Sequence, residues 1–270
     1  MSLPWQHRPT ESRNPFQPNF GETARDYRRF RTGFPTPLFD RLAEFQVGLA
    51  GQALLDLGTG TGFLARDFAL RGCRVTGLDP QAALLEQARE LDAEAGVTIE
   101  YHRGRAEELP FANRTFDVVT AGQCWHWFDR PTAAREVRRV LVPGGKLVIC
   151  HFDWLPLEGN VVQATETLIQ RYNPAWNMGG GTGIYPQWLR DASEAGFLEI
   201  ESFSFDTTVT FTQAAWIGRI RASSGVGASM SPDVLKTFEH DLEQILLTHF
   251  PSEIWSVPHR VFALVGANPR

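Results

Sequence analysis

From about residue 52 onward, short β-branched or apolar runs alternate with stretches in which apolar residues recur every three or four positions. That rhythm predicts βαβ units and a parallel sheet. Strands are expected near 52–57, 73–78, 97–102, 115–121 and 146–151. After the second, Asp79 is placed to cap a helix with Pro80 at its first position, and Leu84, Ala88 and Leu91 form the inward stripe. After the fourth, Val137, Val140 and Leu141 form a similar stripe, and Pro143-Gly144-Gly145 is read as ending that helix before Lys146 opens the next strand. Further along, helical patterns near 161–171, 187–195, 212–222 and 232–247 interleave with strand-like 198–205 and 259–266. The last helix has Ser231 as cap, Pro232 next, and Leu235, Phe238, Leu242 and Leu246 facing inward.

Composition narrows the class. The chain has 270 residues, 43% hydrophobic and 21% charged, a balance that fits a globular α/β protein and not a disordered or fibrous one. A formal net charge of -5 argues against non-specific binding to nucleic acid, which depends on Lys and Arg neutralising phosphates. No long apolar run or signal-peptide pattern is visible, so a cytoplasmic protein that does not enter membranes is expected. Cys73, Cys124 and Cys150 are far apart, which suits a reducing compartment. Cys124, His126 and Asp129 lack a second ligand pair, so no metal site is expected. Prolines 4, 9, 15 and 18 make residues 1–22 an extended lead-in. The Gly179–Gly183 stretch lacks the Lys-Ser/Thr of a phosphate loop and reads as a hinge or lid.

Candidate chemistry concentrates at the expected strand ends. The segment from Asp56 through Gly58, Thr59, Gly60 and Gly62 is a G-x-G-x-G turn between a strand and a helix, where glycines let a ligand approach the backbone. A dinucleotide fingerprint needs a glycine at position 63, and the chain has Phe63. A carboxylate at Asp56 suits an ammonium group and would repel a pyrophosphate. Asp79 follows Gly62 by seventeen residues and can accept both hydroxyls of a ribose. Taken singly, Asp56 is equally a strand-end carboxylate bonded to backbone and Asp79 a helix cap. His126 and His151 lie past the fourth and fifth strands, where each is either a base or a hydrogen-bonded wall residue.

With these motifs in order, the sequence resembles the class I Rossmann-like methyltransferases that use S-adenosylmethionine, from residue 53 to about 150. The supporting segments are the Asp56–Gly62 turn, Asp79, Gly104-Arg105-Ala106-Glu107-Glu108-Leu109-Pro110-Phe111, Phe116-Asp117-Val118-Val119, and Leu141-Val142-Pro143-Gly144-Gly145-Lys146-Leu147. Cys124-Trp125-His126-Trp127-Phe128 and Asp26-Tyr27-Arg28-Arg29-Phe30-Arg31 further resemble the small-molecule branch that includes trans-aconitate methyltransferase-like enzymes. The resemblance implies a three-layer α/β sandwich around a mostly parallel, seven-stranded twisted sheet. It implies S-adenosylmethionine held by Asp56, Gly58, Thr59, Gly60, Gly62, Asp79, Pro80, Ala106, Glu107, Gln123 and Trp125, with Ala106 or Glu107 facing the adenine and Trp125 near the sulfonium. Tyr27 and Arg31 would cover the cofactor, although a run with Arg25, Arg28 and Arg29 is also an ordinary solvated helix face. The chain then divides into a cap (1–47), a cofactor-binding core (48–151) and a C-terminal part (152–270) that completes the sheet and covers the substrate. The implied activity is methyl transfer to a small-molecule acceptor at O, N or C, by a monomer or homodimer, with His126 and His151 as candidate bases. The alternatives are a non-catalytic S-adenosylmethionine-binding regulator and, disfavoured by Phe63, a Rossmann oxidoreductase.

Overall fold

The computed structural model describes residues 33–270, so Tyr27 and Arg31 lie outside the described residues. Its strands are β1 (Ala53–Leu57), β2 (Arg74–Asp79), β3 (Glu100–Arg103), β4 (Phe116–Gly122), β5 (Leu141–Trp154), β6 (Leu198–Thr212) and β7 (Ile254–Ala267). Its helices are α1 (Thr36–Glu44), α2 (Phe63–Leu70), α3 (Ala82–Ala95), α4 (Arg130–Val140), α5 (Val161–Tyr172), α6 (Pro186–Glu194), α7 (Gln213–Arg221) and α8 (Pro232–His249). The strands form one seven-stranded sheet in the order β3-β2-β1-β4-β5-β7-β6. Pairing is parallel from β3 through β5, and β7 runs antiparallel to both its neighbours.

Central β1 is apolar along almost its whole length because both of its faces are covered. On one face Leu38 and Phe39 of α1 and Leu64 and Phe68 of α2 pack against Leu54, Val118 and Val148. On the other, Val137 of α4 and Trp188 of α6 pack against Leu55, Val119 and Ile149. A third cluster sits apart, where Ile169, Trp216, Phe238 and Leu242 bring α5, α7 and α8 together. The 15-residue β6 and 14-residue β7 support this cluster, with Val257 and Phe211 joining it from the strands.

Three readings from the pattern are corrected. Helix α3 begins at Ala82 with Gln81 as its N-cap, so Asp79 does not cap it and Pro80 precedes it. The Asp79 carboxylate instead accepts from the amides of Gly60 and Gln81, at 2.9 and 2.8 Å. Leu141 belongs to β5 and not to the helix, and Pro143-Gly144-Gly145 lie within the strand as a bulge: Phe116 pairs with Leu141, but Val118 pairs with Lys146. Gly144 takes φ +77° there, and Asn268 clamps the bulge by donating its side-chain amide to the carbonyls of Leu141 and Val142. Finally, β6 and β7 run well beyond the expected 198–205 and 259–266, because each pairs with the other from Leu198↔Ala267 to Thr212↔Ile254.

The third cluster generates a stability prediction. Trp216 is fully buried and donates its indole N–H to Thr165 Oγ1 at 3.0 Å. Trp216→Ala is expected to cost about 3–5 kcal/mol, read as a lower urea midpoint in equilibrium unfolding.

Candidate active site

The carboxyl ends of the parallel strands meet along one edge, and two groups of candidate residues lie there. The first surrounds the turn after β1. Gly58, Gly60 and Gly62 all adopt positive φ (57°, 58° and 76°), a conformation that disfavours any side chain. A Cβ on Gly58 would also lie 2.8 Å from the Cβ of Cys124. The Thr59 amide donates to the Leu78 carbonyl, tying the turn to the end of β2. Arg66 of α2 braces it from behind, ion-paired to Asp92 of α3 at 2.8 Å and hydrogen-bonded to the Thr61 carbonyl at 2.9 Å.

Two carboxylates flank this turn. Asp56 is only 2% exposed and accepts from the Thr120 hydroxyl at 2.7 Å. Burial pushes its pKa up to about 6, against the opposing effect of the Thr120 and Thr59 hydroxyls. Asp79 is also raised by burial, offset by the backbone amides of Gln81 and Gly60. Each Asp79 oxygen holds one amide and keeps further lone-pair capacity, so the carboxylate retains room for hydroxyl donors.

The remaining sequence-predicted residues take varied positions. Ala106 is buried on the loop after β3, while Pro80 is exposed and its carbonyl accepts from Arg103 at 3.2 Å. The Glu107 carboxylate is turned onto the Asp129 amide at 2.9 Å, and Arg105 pairs with it at 3.4 Å. Gln123 takes φ +61° at the end of β4 and binds β5 twice, its amide to the Cys150 carbonyl and its side chain to that of Phe152. Trp125 is completely buried in the core, its indole pinned to Asp191 of α6 at 3.1 Å.

The second group surrounds a cavity of about 110 Å³ beside Gln123, His126, Trp127, His151 and Asp153. His126 and His151 are brought together, with ring centroids 5.1 Å apart. His151 Nδ1 lies 3.1 Å from both carboxylate oxygens of Asp153, and the Tyr185 hydroxyl donates to the same carboxylate. Tyr185 is itself fixed by stacking on Trp188, with centroids 3.9 Å apart and planes 1° from parallel. Removal from water raises the Asp153 pKa, but His151, the Tyr185 hydroxyl and His126 together bring it below the ordinary carboxylate value. The same contact and burial push the Tyr185 phenol well up, so Tyr185 stays a donor. An ionised Asp153 only accepts, so His151 carries its proton on Nδ1 and its Nε2 is the basic nitrogen. That Nε2 is buried and has no partner among the described residues.

The far wall of the cavity comes from the C-terminal part: Trp154, Trp176, Met178, Arg219, Ser223 and Ser224. Arg219 lies 4.7 Å over the Trp154 ring, and the Trp176 indole N–H and Ser223 hydroxyl are buried without partners among the described residues. The motif reading missed this wall, and also Asp153 and Tyr185. For Asp153 the signal was present, since His151 and Asp153 share one face of β5 at i, i+2. The glycine loop is bonded at two points, Gly180 to Glu166 (2.7 Å) and Thr182 to Arg260 (3.0 Å). Among the described residues no group of three His, Cys, Asp or Glu side chains is placed to hold a metal, and no helix is long and apolar enough to cross a membrane.

Comparison with known proteins agrees with this architecture. A methyltransferase domain family model matches residues 55–149. A protein named as an uncharacterized methyltransferase of Mycobacterium tuberculosis is 36% identical over 138 residues, covering 51% of this chain and 54% of the relative. The chain thus spans about half the length of that curated relative. A ubiquinone biosynthesis O-methyltransferase of Xanthomonas oryzae is 30% identical over 182 residues, 66% of this chain and 74% of that protein. The chain belongs to the class I S-adenosylmethionine-dependent methyltransferases. Among solved structures, the [4+2]-cyclase SpnF superposes with a TM-score of 0.55 at 19% identity, over 96% of this chain and 99% of that one, and establishes a shared fold.

Burial of Asp56 has a measurable consequence. Its pKa is 3.8 for the free group and about 6 when folded, so between these values the folded state holds a proton that the unfolded state has lost. Stability therefore falls as pH rises through this window, and above it the ionised group costs on the order of 2–3 kcal/mol. Asp56→Asn is expected to unfold at higher temperature than the parent protein near neutral pH, with the difference closing below about pH 4. Parallel melting curves at several pH values check this.

Proposed function

We propose that this chain transfers the methyl group of S-adenosylmethionine to a small molecule bound in the cavity bounded by His126, His151 and Asp153. The observation that carries the reading is the meeting of two features at one sheet edge: a positive-φ glycine turn flanked by Asp56 and Asp79, and a separate cavity past β4 and β5. Gln123 borders that cavity from the end of β4. The residues present suit the cofactor. Asp79 keeps acceptor capacity for ribose hydroxyls, Asp56 offers a carboxylate to an ammonium group, and the glycine turn leaves backbone accessible. Ala106 offers its backbone on the adenine side, with Thr59, Pro80 and Gln123 completing the surround. Glu107 supports this surround indirectly, by holding the Asp129 amide. Trp125 serves it from beneath as packing against Phe128, 5.8 Å away in an edge-on pair.

When bound, S-adenosylmethionine supplies an activated methyl group on a positive sulfur. The chain's own task is alignment, which supplies up to about 7–11 kcal/mol of barrier reduction in well-oriented systems. Trp127, Trp154 and Trp176 enclose the acceptor and exclude water. Residues 152–270 provide the substrate wall. Metabolite-sized acceptors fit this cavity, and neither nucleic acid nor membrane is required.

Calorimetry with S-adenosylmethionine tests the assignment. Asp79→Ala is expected to weaken binding by about 1.5–3 kcal/mol, or roughly 10- to 100-fold, with the melting curve reporting that the fold persists. Unchanged affinity would leave Asp79 as a brace for the Gly60 amide alone. Preferential binding of a nicotinamide dinucleotide would favour the oxidoreductase reading, and binding without adenosylhomocysteine formation across a metabolite panel would favour a regulator.

A further inference from the structure

We infer that His151 is the general base of the acceptor site, oriented by Asp153 and Tyr185, and that the acceptor is therefore a hydroxyl on a flat unsaturated ring, a phenol-like oxygen. This rests on the methyltransferase reading above and names the chemistry of its second substrate.

The argument begins with what the geometry provides. His151 is 4% exposed, lines the cavity, and has a buried Nε2 without a partner among the described residues. A buried polar atom left unsatisfied is unfavourable unless something fills the space opposite it. Nδ1 is fixed on both oxygens of Asp153, so the ring cannot turn to relieve Nε2 without losing those contacts. Tyr185 locks the carboxylate from its other side and is itself stacked on Trp188. Among the described residues, the other titratable or charged groups near His151 include His126 from the turn after β4, and Glu166 of α5 and Arg219 of α7, both against Trp154.

Such an apparatus has no use with a carboxylate acceptor, which arrives without a proton to remove. With a hydroxyl, the balance is complete. An oxygen lone pair forms the new bond to the methyl carbon as the carbon–sulfur bond breaks, its electron pair passing to sulfur. The hydroxyl proton passes to His151 Nε2, and the resulting imidazolium is held against the Asp153 carboxylate until it releases the proton to water. Matching of acid and base selects among hydroxyls. A phenol ionises near 10, whereas an aliphatic hydroxyl lies close to water's 15.7, so a phenol yields its proton to a given base far more readily. The indoles of Trp127, Trp154 and Trp176 supply flat apolar walls suited to such a ring.

The test uses the full chain with S-adenosylmethionine and four probes: phenol, para-nitrophenol, benzoate and aniline, with adenosylhomocysteine as the readout. Both phenols are expected to turn over. His151→Gln should slow phenol methylation about 100-fold or more near neutral pH. It should slow para-nitrophenol far less at about pH 9, where that probe is already ionised and no proton needs a base. Asp153→Asn, a change to a positioning residue, should displace the pH profile for phenol while leaving cofactor affinity in calorimetry unchanged. A readout independent of turnover is absorbance: with adenosylhomocysteine present, para-nitrophenol should bind the parent protein as phenolate at a pH where the His151→Gln protein binds it protonated. Equal losses on the two phenols, no loss at all, methylation of benzoate or aniline alone, or no turnover of either phenol by protein that binds the cofactor would each overturn the proposal. Absence of cofactor binding would instead defeat the methyltransferase reading, and this inference with it.

Discussion

Parallel pairing of β1 with β2 on one side and β4 on the other governs everything functional in this chain. Because the strands run in the same direction, their carboxyl ends lie along one edge, and the order of connection reverses at β1. From there the chain builds outward to β2 and β3, then returns through β4 and β5 on the opposite side. The glycine turn, Asp79 and the Ala106 loop consequently occupy one half of the edge, and Gln123, His126, His151 and Asp153 the other. A methyl donor and a methyl acceptor need that arrangement: separate binding surfaces that meet at one line.

Two carboxylates at this edge illustrate how local partners decide a group's role. Asp56 is enclosed in the central sheet with hydroxyl donors and, among the described residues, no cation that lowers its pKa, so burial dominates and its affinity for a proton rises. A cationic group placed beside it would favour the charged state. Asp153 loses water as well, yet an imidazole and a phenol hydroxyl outweigh that loss and keep it ionised. The first carboxylate is poised to receive charge, and the second to hold another side chain in one orientation.

The C-terminal part matters because it supplies one wall of the cavity beside His126 and His151. Extending β6 and β7 past the core brings α7 against Trp154 at the end of β5, and the cluster around Trp216 and Phe238 joins α8 to it. Arg219, Ser223 and Trp176 reach the cavity from this cluster. The family model matches only residues 55–149, so the glycine turn and Asp79 fall within the matched stretch, whereas Trp176, Arg219 and Ser223 come from chain beyond it.

The glycine turn was legible in the sequence because its signals are local. A strand followed by G-x-G-x-G with acids at Asp56 and Asp79 is specified by backbone conformation and short spacings, and the positive φ angles at the three glycines express the same constraint. The strand rhythm likewise follows from burial of both sheet faces. What the spacing could not reveal was partner choice. Asp79 looks like a helix cap until the turn after β1 folds back and its Gly60 amide takes one of the carboxylate oxygens. Leu141 continues a helical stripe until Phe116 pairs with it and Asn268, 127 positions further on, clamps the bulge that follows. Trp125 and Trp127 are indistinguishable as neighbours in a chain, yet Asp191 draws one into the core while the other lines the cavity. His151 and Tyr185 meet at Asp153 only because the loop before α6 crosses the end of β5. Local conformation and periodic burial are written in adjacent residues, whereas hydrogen-bond partners, cavity walls and the electrostatics of buried groups depend on which distant segments the tertiary fold brings within a few ångströms.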